Sequence, residues 1–221
     1  LGDVYKRQDY ADAYYNMGIA LKDKGDPEAA IDSYKQALKI KPDYAEAYNN
    51  MGVALKRVVF TKPSSGLQEV ISSMIDQKNN VNPVAAISLL KFEPVVKELF
   101  EKHFAGEVKQ SLERLISNLS ETPLLLKLMS VCPLANLELE AAFTSIRSSL
   151  LASVSKTSEN SNLINFQSAL ALQCFTNEFI YEETETEVRL IKSLETKLEK
   201  LALNKEKLGA SDIACLASYR A

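Results

Sequence analysis

The chain has 221 residues, 46% hydrophobic and 25% charged, enough to bury one substantial core or two smaller ones and too apolar for wholesale disorder. A net charge of -3 gives no basic footprint for a phosphate backbone, so nucleic acid is not an expected partner. The longest apolar cluster, Leu124 to Val131, is broken by Lys127 and falls far short of the roughly 20 residues of a membrane span; with no secretory leader pattern either, the expectation is a cytoplasmic protein without a membrane partner.

Residues 1–8, Leu-Gly-Asp-Val-Tyr-Lys-Arg-Gln, lack an initiating Met and resemble translated adapter sequence, so they are set aside as a non-native leader. The other end, Ser218 to Ala221, stops close to a predicted helix start, and the chain is expected to be a fragment.

Residues 9–56 carry an internal repeat. At an offset of 34 residues, Ala11-Asp-Ala-Tyr-Tyr-Asn-Met-Gly-Ile-Ala-Leu-Lys22 returns as Ala45-Glu-Ala-Tyr-Asn-Asn-Met-Gly-Val-Ala-Leu-Lys56. Tyr14, Met17 and Leu21 share one helical face, and Gly18 and Ala20 are small enough to admit a second helix closely. Gly25 suits the end of the first helix. Asp26 suits the cap of the next, with Pro27 at its first position, where a missing N–H costs nothing. Ala30, Tyr34 and Ala37 form the return face, and Pro42 breaks the helix. The spacing predicts two antiparallel helices, then the first helix of a second unit that loses the pattern after Lys56.

This 34-residue period, with Tyr14, Met17, Gly18, Leu21, Ala30, Tyr34, Ala37 and Pro42 in place, resembles the tetratricopeptide repeat (TPR). The resemblance implies a protein- or peptide-binding surface on the first helices. Asn16 and Asn50 stand where arrays resembling O-linked N-acetylglucosamine transferase carry a ladder of asparagines. An amide side chain both donates and accepts, so it can pair with a peptide backbone of any sequence. Tyr15, Ile19, Lys22, Asn49 and Val53 are expected to share that face, unless the asparagines are simply solvated or tie one helix to the next.

Residues 57–66 read as a linker and 67–221 as an all-helical domain. Helices are predicted at about 66–77, 83–104, 107–119, 123–131, 136–154, 161–181, 184–207 and 211–219, with Pro94 a possible break. Asn82-Pro83 and Thr122-Pro123 read as cap and first-turn Pro, Ser211 as a cap, and 155–162 as a polar loop. Ile191, Leu194, Leu198 and Leu201 follow a heptad spacing too short for a coiled coil, so a packing helix is expected, with Glu185 and Arg189 on its solvated side.

Within this region Leu124 to Glu140, Phe143 to Leu151 with Arg147, and Asn165 to Tyr181 resemble the helical segment that follows the repeats in marine bacterial proteins. There a class I S-adenosylmethionine-dependent methyltransferase domain comes next. The glycine-rich turn of such a domain is missing: the glycines at 2, 18, 25, 52, 66, 106 and 209 never cluster. No cofactor is expected on these residues. The single His103 has no marked catalytic partner, and Cys132, Cys174 and Cys215 have neither metal-site spacing nor a complete disulfide framework, so buried thiols are expected and no catalytic residue or metal ligand is assigned. Glu182, Glu183, Glu185 and Glu187 read as an acidic helix start. The sequence predicts an all-α, non-catalytic interaction module: TPR units followed by a helical domain.

Overall fold

The computed structural model describes residues 2–64, 66–77, 81–105, 112–154, 160–176 and 183–220, with residues 2–7 and 101–105 as backbone only. Twelve helices and no strand occur among the described residues: α1 (Gly2–Asp23), α2 (Pro27–Ile40), α3 (Ala45–Leu55), α4 (Leu67–Asp76), α5 (Pro83–Leu90), α6 (Pro94–Ala105), α7 (Leu112–Ser120), α8 (Pro123–Val131), α9 (Leu137–Ser153), α10 (Ser161–Thr176), α11 (Glu185–Leu203) and α12 (Ala210–Ala217). The fold is all-α, with one helix–turn–helix unit and a further helix packed on it at the start and more helices after them. It divides into two compact units, Leu1–Phe92 and Glu93–Ala221.

In the first unit α2 packs against both α1 and α3. The turn from α1 to α2 is built by the expected residues. Gly25 takes φ +88°, which a side chain would resist. The Asp26 N–H then reaches back to the Leu21 carbonyl at 2.9 Å, and the Asp26 carboxylate accepts from the Ala29 N–H at 3.1 Å. At Gly18 the α1 backbone lies close against α2. A Cβ there would stand 2.4 Å from Tyr34 Cε1, and Tyr34 is fully buried. Ala20, expected to help this approach, is instead exposed and belongs to another face of α1.

Two residues of the expected linker are anchored in this unit. Val58 and Phe60 are buried, and the Phe60 N–H donates to Ser88 Oγ on α5 at 2.8 Å. Asn82 caps α5 through the Val84 N–H at 3.1 Å and also donates to the Leu55 carbonyl at the end of α3.

Pro94 does divide the helix expected over 83–104, because α5 ends at Leu90 and α6 begins at the proline itself. Thr122 holds the N-cap position of α8 ahead of Pro123, though its side chain makes no cap bond. The cap expected at Ser211 is corrected. Gly209 holds the N-cap position of α12, so Ser211 lies inside its first turn and is buried. Of the polar loop at 155–162, residues 155–159 lie outside the described residues, while Ser161 and Asn162 already belong to α10. The Asn160 side chain accepts from the Leu163 N–H at 2.8 Å. The predicted ends of helices 161–181 and 107–119 likewise fall partly outside the described residues.

In the second unit α10 packs against α7, α8 and α12. Gln173, on α10 and buried, closes the end of α8 in the amide orientation that satisfies its neighbours: it donates to the Met129 and Cys132 carbonyls and accepts from the Leu134 N–H. Ile191, Leu194 and Leu198 form a core with Leu151, Cys215 and Tyr219, so the heptad-like stripe of α11 serves packing inside the unit. Glu185 and Arg189 remain solvated, 3.9 Å apart. α11 stops at Leu203, short of the expected 207. Lys205 turns left-handed at φ 58°, and the Glu206 N–H caps the Leu201 carbonyl.

A polar chain runs beside that core, with Glu187, Arg147, Ser218 and Tyr219 buried. Thr184 and Glu187 form a reciprocal capping box on α11. Glu187 Oε1 also accepts from the Tyr219 hydroxyl at 2.8 Å, and the Arg147 guanidinium sits 4.0 Å over the Tyr219 ring while donating to the Ser218 carbonyl at 3.3 Å. Burial raises the Glu187 pKa, but hydrogen bonds from Thr184, Tyr219 and Ser148 outweigh it and hold the carboxyl below its ordinary range.

Candidate partner-binding face

The residues expected to bind a partner lie on α1 and α3, and the structure brings three of them into contact. Asn50 Nδ2 donates to the Tyr15 hydroxyl at 2.9 Å and to the Glu46 carbonyl at 3.2 Å, while Asn50 Oδ1 accepts from Lys22 Nζ at 3.2 Å. Asn50 therefore ties α3 to α1. Asn16 differs, because it is exposed and makes no side-chain hydrogen bond among the described residues. Asn49 and Val53 are also exposed and Ile19 is half-buried.

Three aromatic side chains underlie this cluster. The Tyr15 ring lies 4.9 Å from Tyr44 and 6.0 Å from Tyr34, centroid to centroid. The Tyr44 hydroxyl donates to Asp12 Oδ1 at 2.8 Å, and Lys41 Nζ stands 4.2 Å over the Tyr44 ring. Burial, and then the hydrogen bond to Asp12, push the Tyr44 phenol above its ordinary pKa. Burial, reinforced by Tyr15 and Asp23, pushes Tyr34 up to about 12. These phenols stay protonated at neutral pH. The cluster offers donors and acceptors in fixed positions, with no nucleophile activated by a base.

Asp12, Lys41 and Tyr44 were not singled out by the repeat pattern. Tyr44 had a signal, since Asp9-Tyr10 returns as Asp43-Tyr44 at the same 34-residue offset. Asp12 had none, because its partner is fixed only by how α1 lies against the turn before α3.

Of the remaining candidates, His103 lies in α6, and its side chain is outside the described residues. Cys174 and Cys215 are buried and Cys132 half-buried, all three free. Burial raises the pKa of each, taking Cys215 to about 12. Among the described residues no group of His, Cys, Asp and Glu could hold a metal ion, and no helix is long and apolar enough to cross a membrane.

The α1–α2 pair, followed by an α3 that repeats part of α1 at a 34-residue offset and packs on α2, has the arrangement of helical-repeat proteins. Residues 18–58 match the family model of the TPR repeat, and TPR repeats in general are protein-interaction modules. No curated protein and no solved structure matches the chain.

Proposed function

We propose that the first unit is a non-catalytic binding module whose α1–α3 face engages an extended peptide of a partner protein in the cytoplasm. The observation that carries this reading is the ordered cluster of Tyr15, Lys22 and Asn50 beside the exposed, unbonded amide of Asn16. Side chains already held in place lose little entropy when a ligand arrives, and a free amide is ready to pair with a peptide backbone. Ile19, Asn49 and Val53 extend the same surface. No nucleic acid, membrane, metal or cofactor enters this reading.

The test is a peptide array probed with the purified chain and with Asn16→Ala plus Asn50→Ala, both checked for native helicity. Loss of the bound peptides in the variant supports the face. An unchanged set of bound peptides would show that binding lies elsewhere.

A second reading rests on the resemblance of Leu124–Glu140, Phe143–Leu151 and Asn165–Tyr181. On that reading the chain recruits or regulates substrate for a methyltransferase encoded downstream. A strand followed by a glycine-rich turn within about a hundred residues of Ala221 in the parent gene supports it; a stop codon or further repeats there removes it.

A further inference from the structure

α11 stops short of where its own residues would carry it. The apolar stripe of Ile191, Leu194, Leu198 and Leu201 comes back into phase at Leu208, and Lys205, Glu206, Lys207 and Leu208 are all good helix formers. The helix nonetheless ends at Leu203, and Lys205 turns back at φ 58°, the only positive φ outside glycine among the described residues. A lysine is strained there, because its Cβ crowds the backbone in the left-handed region. Residues 202–207 are all exposed, and the bonds that hold the turn are local. The Lys205 N–H donates to the Ala202 carbonyl at 3.1 Å, the Glu206 N–H to the Leu201 carbonyl at 2.9 Å and the Asn204 amide to Glu206 Oε1 at 3.0 Å.

What bends the chain is the docking of the segment that follows. α12, with Ser218, Tyr219 and Arg220 behind it, packs on α9, α10 and α11. Asp212 pairs with Lys197, and Arg220 with Glu195 at 2.8 Å and Glu183 at 3.3 Å. The Tyr219 hydroxyl donates to Glu187, and Cys215 and Tyr219 enter the core of Leu151, Ile191, Leu194 and Leu198. Each of these ties joins a residue before the turn to a residue after it. None requires both to belong to one molecule, so residues 210–220 of a second copy meet the same partners.

We propose that residues 210–220 are an exchangeable segment, swapped reciprocally between two copies of this chain, with α11 running on as one helix through 204–208 in each. The contacts of α12 are remade across the pair, and the strained lysine is relieved in both copies. The short turn gives the closed form a high effective concentration, so exchange belongs to concentrated protein. It involves the second unit alone and is independent of the peptide face of the first.

Two charge variants test this: Glu195→Arg plus Lys197→Glu beside the docked segment, and Asp212→Lys plus Arg220→Glu on the segment itself. Each is refolded from urea at about 0.5 mM, alone and mixed one to one, then sized by light scattering and native mass spectrometry. Alone, each variant sets like charges at both positions, in a monomer or a swapped homodimer. Mixed, reciprocal exchange restores opposite charges at both positions in both halves. The expected result is a heterodimer exceeding each homodimer by about tenfold or more, the excess that two restored pairs in each half support. A heterodimer no commoner than chance, or none, overturns the proposal. If the charge variants fold poorly, the parent and Lys205→Gly decide it. Glycine fits the left-handed turn and weakens the continuous helix, so it is expected to raise the dimer dissociation constant by about tenfold or more. A parent that stays monomeric at about 0.5 mM, or a dimer indifferent to Lys205→Gly, equally overturns exchange at this turn.

Discussion

Gly18 and Tyr34 compete for one volume: the ring of Tyr34 lies where a side chain at position 18 would begin, with Cε1 2.4 Å and Cδ1 2.7 Å from the Cβ site. Tyr34 is fully buried and cannot swing into solvent, so the helices themselves must separate to admit a methyl group. Overpacking of this kind costs about 1–3 kcal/mol, while replacing a mid-helix glycine by alanine returns up to about 1 kcal/mol. Gly18→Ala is therefore expected to destabilise the first unit by about 1–2 kcal/mol in urea denaturation. A variant as stable as the parent would mean that α1 and α2 are not in close contact here.

The Tyr34 hydroxyl is buried and has no hydrogen-bond partner among the described residues. Its removal takes away a desolvated polar group and leaves the ring in place. Tyr34→Phe is expected to match the parent or exceed it by up to about 1 kcal/mol. A loss of more than about 1 kcal/mol would show that the hydroxyl is paired in solution.

Asn16 and Asn50 occupy equivalent repeat positions and predict opposite results. Asn50→Ala breaks the links to Tyr15 and Lys22 and is expected to cost about 0.5–1.5 kcal/mol. Asn16→Ala is expected to leave stability within about 0.5 kcal/mol, as for other exposed positions. Equal costs from the two variants would contradict the arrangement.

The capping box on α11 predicts an acid limit for the second unit. Glu187 is held below its ordinary carboxylate pKa, so its contribution is fully present above the unfolded value and lost as pH falls through the folded one. Urea titrations across that range are expected to give a steeper loss for the parent than for Glu187→Gln. Thr184→Ala, which removes the cap hydroxyl, is expected to cost about 1 kcal/mol at neutral pH. Parallel pH profiles for the parent and Glu187→Gln would refute this role for Glu187.

Burial and raised pKa values make the thiols of Cys174 and Cys215 poor nucleophiles in the folded chain. An aromatic disulfide reagent at pH 8 is expected to modify half-buried Cys132 slowly and the other two only after unfolding. Cys132→Ser should then abolish the slow native phase. Rapid reaction of all three thiols in native buffer would count against the packing of α10 and α12.

Much of the first unit was legible because its determinants are local. Gly25, Asp26 and Pro27 encode a helix stop, a cap and a start within three residues, and Asn82-Pro83 does the same for α5. Thr122-Pro123 shows the limit, since the proline alone was enough to open α8. The candidate face was legible as a set of residues but not as a network. Nothing in the local sequence distinguishes Asn16 from Asn50, and Asp12 and Tyr44 meet only because a turn brings residues 32 apart together. The end of α11 at Leu203 was missed because the left-handed residue that follows, Lys205, is not a glycine that would announce it.

By itself the sequence determined that this protein is all-helical, that its first helices repeat at a 34-residue offset and where most of the helices begin, because capping, proline breaks and apolar periodicity act over a few residues. Only the tertiary structure decided which helical faces are covered. Burial depends on a neighbour rather than on the residue, so the stripe running from Tyr44 through Tyr48 and Met51 is core, while its counterpart from Tyr10 through Tyr14 and Met17 faces solvent. In the same way Asn50 is a structural tie while Asn16 is exposed.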